Sequence, residues 1–546
     1  MKKRMRGIPV VILLVLLPCL PFILAFITYL IRYAAEQGPL RLAQLSDALY
    51  DALDIYSMSV ASYSPDSVSA LDRWGRFGRP LLELARWSAL IAVAGAALTL
   101  LSRSLKRLGV SILSLNSGVF ALHGDAAPVE KLKKELRFRA VRSDVPEKYN
   151  LRNHILAFRN ADELYRCLDN HFEKMTRHRN TRLFIYTDAP IHSVRSNPGI
   201  IINNIAKNCA RLYWKKHWLR PVEKKIVLIG NGQYLDQMLT QALQVNVFTD
   251  QRELEYHVFG DGGAYHDRHP QLEKLVSLNA CAPDQDAVFF HDEGWLEQRA
   301  LIREADRVII CFGEEKESLP IMDYMMENRM AQRIHIRMHN DKMVRALWRY
   351  TEDDRCSITS FGTDDELYTI DQITNATLNS RGMLIHAYYS RRNCPEAGRR
   401  SECGKLLANC TVCPHFADEW QKLSAYKRSS CIAQDDHSDV KIRELLGFGL
   451  EDVNGLGAEA YAAFCRLDAQ GREAMIRLEH ERWMRFLHLH GWSYGEHRDD
   501  NHLLHPLLVP FEALSDEEKA KDADAYVILG ELDTHREYHS RLINRL

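Results

Sequence analysis

The sequence predicts an α/β protein built on parallel sheets, preceded by two membrane-spanning helices and followed by a small helical domain. Three observations carry that reading. Two long uncharged runs lie within residues 1–110. From Gly118 onward, short apolar runs alternate with glycine-bearing turns and helical stretches, the rhythm of a parallel sheet. From residue 471 the chain changes to a long helix followed by turns dense in aromatic residues.

The 546 residues have room for several domains. Composition divides them into a membrane segment (1–110), a first α/β region (111–220), a second (221–390), a linker and helical region (391–470) and a C-terminal domain (471–546). Lys and Arg total 71 against 72 Asp and Glu, so no net field draws the chain to nucleic acid, and no basic stripe supports a duplex partner. The 12 cysteines are scattered through a long chain, which points to a reducing compartment and not to a disulfide framework.

The run 8–31 follows Lys2, Lys3, Arg4 and Arg6. As a helix it measures about 36 Å at ~1.5 Å per residue, more than the ~30 Å hydrocarbon core and too long for the ~7–15 residue apolar stretch of a signal peptide. The second span, 81–101, holds the uncharged stretch 87–102 and begins with Glu83 and Arg86, one helical turn apart and able to neutralise each other. With Arg103, Lys106 and Arg107 after it, the basic flanks place both termini in the cytoplasm and the loop 32–79 outside. The expectation is a multi-pass protein of the inner (plasma) membrane with the bilayer as partner. The loop has no Thr-Val-Gly-Tyr-Gly run, which argues against a potassium-selective pore and leaves a less selective pore of oligomerising helices, or a plain anchor, as the alternatives.

In the body, a first pass reads a strand at 118–122, a turn at His123-Gly124-Asp125, a helix at 128–136 and strands at 154–158 and 182–187. The second pass has a strand at 226–229, the turn Gly230-Asn231-Gly232, a helix at 233–244 and a strand at 245–248 leading to Asp250. Glycines in such a turn let the backbone approach a pyrophosphate, the amides of the following helix face it, and an acidic residue ~20 positions on binds a ribose hydroxyl. Gly230, Asn231, Gly232 and Asp250 are therefore the candidate nucleotide-binding residues. Leu235 stands where a third glycine would let helix and strand pack more closely.

That strand and turn, the later run Ala305-Asp306-Arg307-Val308-Ile309-Ile310-Cys311-Phe312-Gly313 and the strand at 333–338 resemble the TrkA N-terminal type domain. This is a Rossmann-like module that gates or regulates potassium channels and transporters. The resemblance implies a nucleotide, NAD or another, at Gly230, Gly232 and Asp250, and the two passes imply two Rossmann-like copies. Cys410 and Cys413 have the spacing of a zinc knuckle, with Cys394 or Cys403 to complete it, but no second Cys-x-x-Cys is present and no metal site is predicted.

At the C-terminus, a helix over 472–490 places Ile476, His480, Trp483 and Leu487 on one face, and Gly491 ends it. Then come Gly491-Trp492-Ser493-Tyr494-Gly495, Arg498-Asp499, His505-Pro506 and Leu508-Val509-Pro510-Phe511. In that order, after Glu479-His480-Glu481-Arg482-Trp483, they resemble the ryanodine-receptor (RyR) repeat domain. The resemblance implies a helical module that binds or docks and carries no catalytic residue. Trp483 reads as core. Trp492, Tyr494, Arg498 and His505 read either as core or as an aromatic-and-cation pocket for a planar, phosphorylated ligand.

No Ser-His-Asp, paired-carboxylate or phosphate-loop lysine arrangement stands at a workable spacing, so no catalytic residue is assigned. The expected function is a membrane-anchored sensor or effector, working as a homo-oligomer. Its cytoplasmic domains bind a nucleotide-like ligand and regulate the transmembrane helices, through ion flux or membrane integrity, as in channel regulation or nucleotide-signalled defence. The competing class is a membrane-tethered NAD(P)-dependent oxidoreductase.

Overall fold

The computed structural model describes residues 20–34, 41–56, 78–113, 118–141, 146–178, 180–188, 199–250, 253–348, 357–374, 378–392, 420 and 423–534. The chain divides into two compact units, 1–115 with 143–147, and 116–142 with 148–546.

The first unit contains a helix over 20–34, α1 (Leu42–Asp54) and α2 (Gly78–Leu113). Small residues set its packing: Ala25, Ala48, Ala52, Ala85 and Ala89 bury together with Tyr29 and Leu82. The Tyr33 hydroxyl donates to Asp51 at 2.8 Å, which ties the 20–34 helix to α1, a helix inside the stretch expected to be an external loop. Glu83 and Arg86 form the expected pair, at 2.9 Å.

Among the described residues no helix is long and apolar enough to cross a membrane. This corrects the two predicted spans and, with them, the multi-pass placement in the plasma membrane with cytoplasmic termini. Part of the first span, 8–19, lies outside the described residues. The second span fails on length: between Arg86 and Arg103 its uncharged stretch has 16 residues, about 24 Å at ~1.5 Å each, short of the ~30 Å core.

The second unit is α/β. Its first sheet comprises β1 (Phe120–Gly124), β2 (Ala140–Val141), β3 (Asn153–Ala157), β4 (Arg182–Thr187) and β5 (Ile200–Asn204), all parallel, in the order β2-β1-β3-β4-β5. The helices α3 (Ala126–Leu136), α4 (Ala161–Met175) and α5 (Ile205–Lys216) belong to it. The second sheet comprises β6 (Lys225–Gly230), β7 (Glu255–Phe259), β8 (Ser277–Leu278), β9 (Ala287–His291), β10 (Arg307–Cys311), β11 (Arg333–Arg337) and β12 (Ser357–Phe361). Its order is β12-β11-β10-β6-β7-β9-β8, again parallel. Interspersed are α6 (Gly232–Val245), α7 (Gly262–Arg268), α8 (Arg299–Glu304), α9 (Glu315–Glu327) and α10 (Lys342–Trp348). Strands such as β3 and β10 are buried throughout, as a sheet covered on both faces requires.

In each sheet the order reverses beside the first strand, between β1 and β3 and between β6 and β10. Such switch points are where open parallel sheets bind ligands, outside the carboxyl ends of the strands. The sheets share one apolar core: Cys209, Ala210, Tyr213 and Trp214 of α5 bury together with Leu122 and Ile155 of the first sheet and Leu228 and Tyr256 of the second.

Beyond β12 the chain is helical: α11 (Asp364–Leu367), α12 (Ile370–Thr374), α13 (Ser380–Arg392), α14 (Ala425–Asp436), α15 (Ser438–Leu446), α16 (Gly457–Arg466), α17 (Ala469–Leu489) and α18 (Asp516–Thr534). Leu384 of α13, Ile442 of α15, Phe464 of α16, Leu478 of α17 and Tyr526 of α18 bury in one cluster. The C-terminal segment therefore shares its core with the helices before it. Two short strands, β13 (Ser493–Tyr494) and β14 (Leu504–His505), follow α17.

Candidate functional site

The seven-stranded sheet presents its switch point at Gly230, in register with Cys311 of β10. A Cβ on Gly230 would lie 2.7 Å from the Cys311 carbonyl oxygen and 2.9 Å from its sulfur, so only glycine fits there. Gly232 has φ +55°, and a Cβ built on it meets nothing within 4 Å. The turn is thus tight at its base and open at its mouth, at the start of a 14-residue helix whose amides the Asn231 side chain leaves uncapped. Asn231 instead donates to Glu317 of α9 at 2.9 Å, bridging the two sides of the crevice. Leu235 is accommodated because β7 ends beside a glycine: a Cβ on Gly260 would lie 2.2 Å from the Leu235 side chain.

Asp250 does not join this turn. The run 245–248, read as a strand, is the end of α6 and the loop after it, and the strand that follows is Glu255–Phe259. Asp250 therefore lies past the far end of a helix about 21 Å long at ~1.5 Å per residue, near the amino edge of the sheet. The acidic residue at the carboxyl end of that next strand is Asp261, which accepts from the Ala264 amide at 2.9 Å and so heads α7.

The carboxyl ends of both sheets meet at a row of polar side chains that sequence reasoning missed. Arg337, 1% exposed at the end of β11, donates to the Gly313 carbonyl and to the Tyr234 hydroxyl, the latter at 3.1 Å, with its guanidinium 4.3 Å from the Tyr234 ring centre. His339 lies 3.2 Å from Arg337 and 3.2 Å from Asp364. Asp364 also accepts from Arg159, just past β3, and its partners His339 and Arg159 hold its carboxyl below the usual range against the opposing effect of burial. The Asp188 carboxyl, past β4, is pushed up by burial. Arg337 thereby fixes both the first turn of α6 and the loop after β10, the two lips of the Gly230 crevice. Burial also pushes up the Cys311 thiol, the sulfur nearest the turn, so it is no ready nucleophile.

The C-terminal turn has a different construction. Past α17 the Gly491 amide donates to His488 at 2.9 Å and the Trp492 amide to Leu487 at 3.0 Å, with Gly491 at φ +81°. This Schellman geometry carries the residue after the glycine back against the helix. Trp492 is accordingly 2% exposed, with Tyr426 of α14 stacked on it at 5.2 Å and Phe486, Leu487 and Leu508 around it. The Arg498 guanidinium stands 5.8 Å from its ring centre and pairs with Asp500 at 2.8 Å. His505 meets Trp483 edge-on at 5.0 Å, and its Nδ1 accepts from the Leu507 amide at 3.2 Å. Of the four residues assigned to a ligand pocket, Trp492 is a core residue with no free face, His505 is half-buried, and Tyr494 and Arg498 are exposed.

Among the described residues no group of three or more His, Cys, Asp or Glu could hold a metal ion. Cys394, Cys403, Cys410 and Cys413 lie outside the described residues.

The architecture is thus a parallel α/β body with a helical region docked on it. Comparison with known families adds one finding: the RyR domain matches residues 469–528, from the start of α17 into α18. No curated protein and no solved structure matches the chain.

Proposed function

We propose that the chain is a ligand-responsive regulatory protein. A nucleotide-like molecule binds the crevice headed by Gly230, Asn231 and Gly232, and α6 passes the bound state to the RyR-type segment. The resemblance to the TrkA N-terminal type domain supports a nucleotide at this turn. One observation carries the coupling: α6 begins at the open turn, and its other end is clamped by the C-terminal helices. Gln241 donates to Asp436 of α14 at 2.9 Å, the Leu243 carbonyl accepts from Arg485 of α17 at 3.4 Å, and the Val247 carbonyl lies 3.0 Å from His437. A phosphate on the first amides of α6 favours one position of the helix, and the response equals the difference in affinity between two states of the clamp.

In this reading Asp261 takes the ribose-binding role assigned by sequence to Asp250. The test is equilibrium binding of NAD and ATP to the full chain. Asp261→Asn keeps a helix-capping side chain and loses the charge, so affinity falls about tenfold, ~1.4 kcal/mol. Asp250→Ala leaves affinity unchanged. Loss of binding in Asp250→Ala with none in Asp261→Asn contradicts the assignment.

A further inference from the structure

A second cavity, of about 410 Å³, lies where the end of α5, the turn after β12 and the loop between α15 and α16 meet. Its size is within the ~300–1,000 Å³ of small-molecule sites. None of Gly230, Asn231, Gly232 and Asp261 lines it. Its apolar wall is formed by Leu212, Tyr213, Phe361 and Leu367, with the Tyr213 and Phe361 rings 4.5 Å apart.

Two neutral polar groups of residues that line it, the Gln372 side-chain oxygen and His217 Nε2, are buried behind this wall without partners in the protein. Gln372 is only 9% exposed, so bulk water does not serve it. Its main chain is fixed, the amide donating to Thr369 at 3.1 Å and the carbonyl accepting from Asn208 at 3.2 Å. His217 is uncharged at neutral pH because burial draws it down to about 4. A carboxamide and a neutral imidazole together offer donors and acceptors without net charge, the complement of a nitrogen heterocycle's edge. Of the three cations at the rim, Lys216 pairs with Glu366 at 3.0 Å and Lys215 with Asp439 at 3.9 Å, while Arg443 donates to the carbonyls of Asp439, Leu450 and Glu451. Glu451 and Asp452 bring the carboxylates to four against three cations. Such a rim accepts hydroxyl groups and opposes a chain of phosphates.

We propose that this cavity is a second ligand site for a neutral nitrogen heterocycle of the nucleoside class: the Gln372 and His217 side chains, whose unpartnered atoms lie behind the wall, turn towards its base when it enters, and the rim carboxylates take its sugar hydroxyls. It is separate from the Gly230 crevice and stands or falls independently. A ligand here touches α5, the β12 turn and the helical region at once, and so ties the body to that region.

Calorimetric titration of the full chain with adenosine and with guanosine tests the proposal, with ATP and GTP as counter-probes. Saturable binding of at least one nucleoside is expected, with its triphosphate at least about tenfold weaker in the cavity, read in a Gly232→Asp background that silences the crevice. Gln372→Ala should weaken nucleoside binding about tenfold, and Leu212→Trp, which fills the cavity, should abolish it with the circular dichroism spectrum unchanged. If Leu212→Trp does not fold, Gln372→Ala decides alone. Absence of saturable nucleoside binding, equal affinity for the triphosphate, unchanged affinity in Gln372→Ala, or loss of nucleoside binding in Gly232→Asp alone would overturn the proposal.

Discussion

The two sheets each carry a strand, a glycine turn and a helix at the switch point, and they use the turn in opposite ways. At β1 the turn is filled. Gly124 has φ +136°, and a Cβ on it would lie 1.9 Å from the Ala157 carbonyl oxygen. Asp125 accepts from the Arg159 amide at 2.7 Å, and the Arg159 side chain is taken by Asp364. At β6 the base is tight as well, 2.7 Å from a Cβ on Gly230 to the Cys311 carbonyl oxygen, but a Cβ on Gly232 would meet nothing within 4 Å among the described residues. A glycine after a parallel strand therefore marks a close approach of main chain, and whether that approach serves packing or a ligand depends on what lies beyond it.

The largest expected effect breaks the comparison at the closed turn. Gly124→Ala combines a backbone clash with a strained φ and should cost more than ~4 kcal/mol, read as loss of the cooperative unfolding transition. Gly232→Asp, where asparagine and aspartate tolerate the left-handed region, should cost within ~1 kcal/mol. Comparable losses at the two glycines would erase the distinction.

The C-terminal region sharpens the contrast between structural and exposed residues. Arg485 is buried against Asp286 at 2.7 Å, and its replacement by alanine should cost ~3–5 kcal/mol by leaving the carboxylate unpaired. Trp492→Ala should cost a similar ~3–5 kcal/mol as a core truncation, whereas Tyr494→Ala should stay within ~0.5 kcal/mol. Urea unfolding monitored by fluorescence and circular dichroism measures all three; a silent Trp492→Ala would return that residue to the list of free ligand contacts.

A smaller effect is the pH dependence. His437 is fully buried, bonded to the Val247 carbonyl, and burial draws it down to about 3; His154 and His490 are drawn to about 4 in the same way. Each folded value lies below the ordinary ~6.5, so on acidification the unfolded chain takes up protons first. Stability should therefore fall from about pH 6.5 towards 5, before exposed carboxylates titrate, and His437→Gln should flatten that slope. A stability flat over this window would contradict the burial of these rings.

Much of the body was legible because its strands are short buried apolar runs between glycine turns. The strand at 182–187 was read to the residue, and the C-terminal helix and its Gly491 stop to within a few. The run Val245-Asn246-Val247-Phe248 misled because a short apolar run is equally a buried helix end, and its misreading carried Asp250 to the wrong edge of the sheet. Trp492 was open to two readings until the helix-ending geometry placed it under Tyr426, on a helix 66 positions earlier (492 − 426). The row from Arg159 through Asp364 and His339 to Arg337 was not legible at all, since pattern within one element says nothing about which strand ends face each other. The second predicted span exceeded what its charge-free length supports.

The central claim is that α6 connects an occupied Gly230 crevice to the RyR-type segment. Hydrogen exchange of the full chain with and without saturating NAD or ATP measures it most directly, in the wild type and in Gly232→Asp. The account predicts added protection at the first turn of α6 together with altered exchange in α14 and α17, both lost in Gly232→Asp. Nucleotide binding that leaves α6 unchanged, or an exchange response that persists in Gly232→Asp, would contradict it.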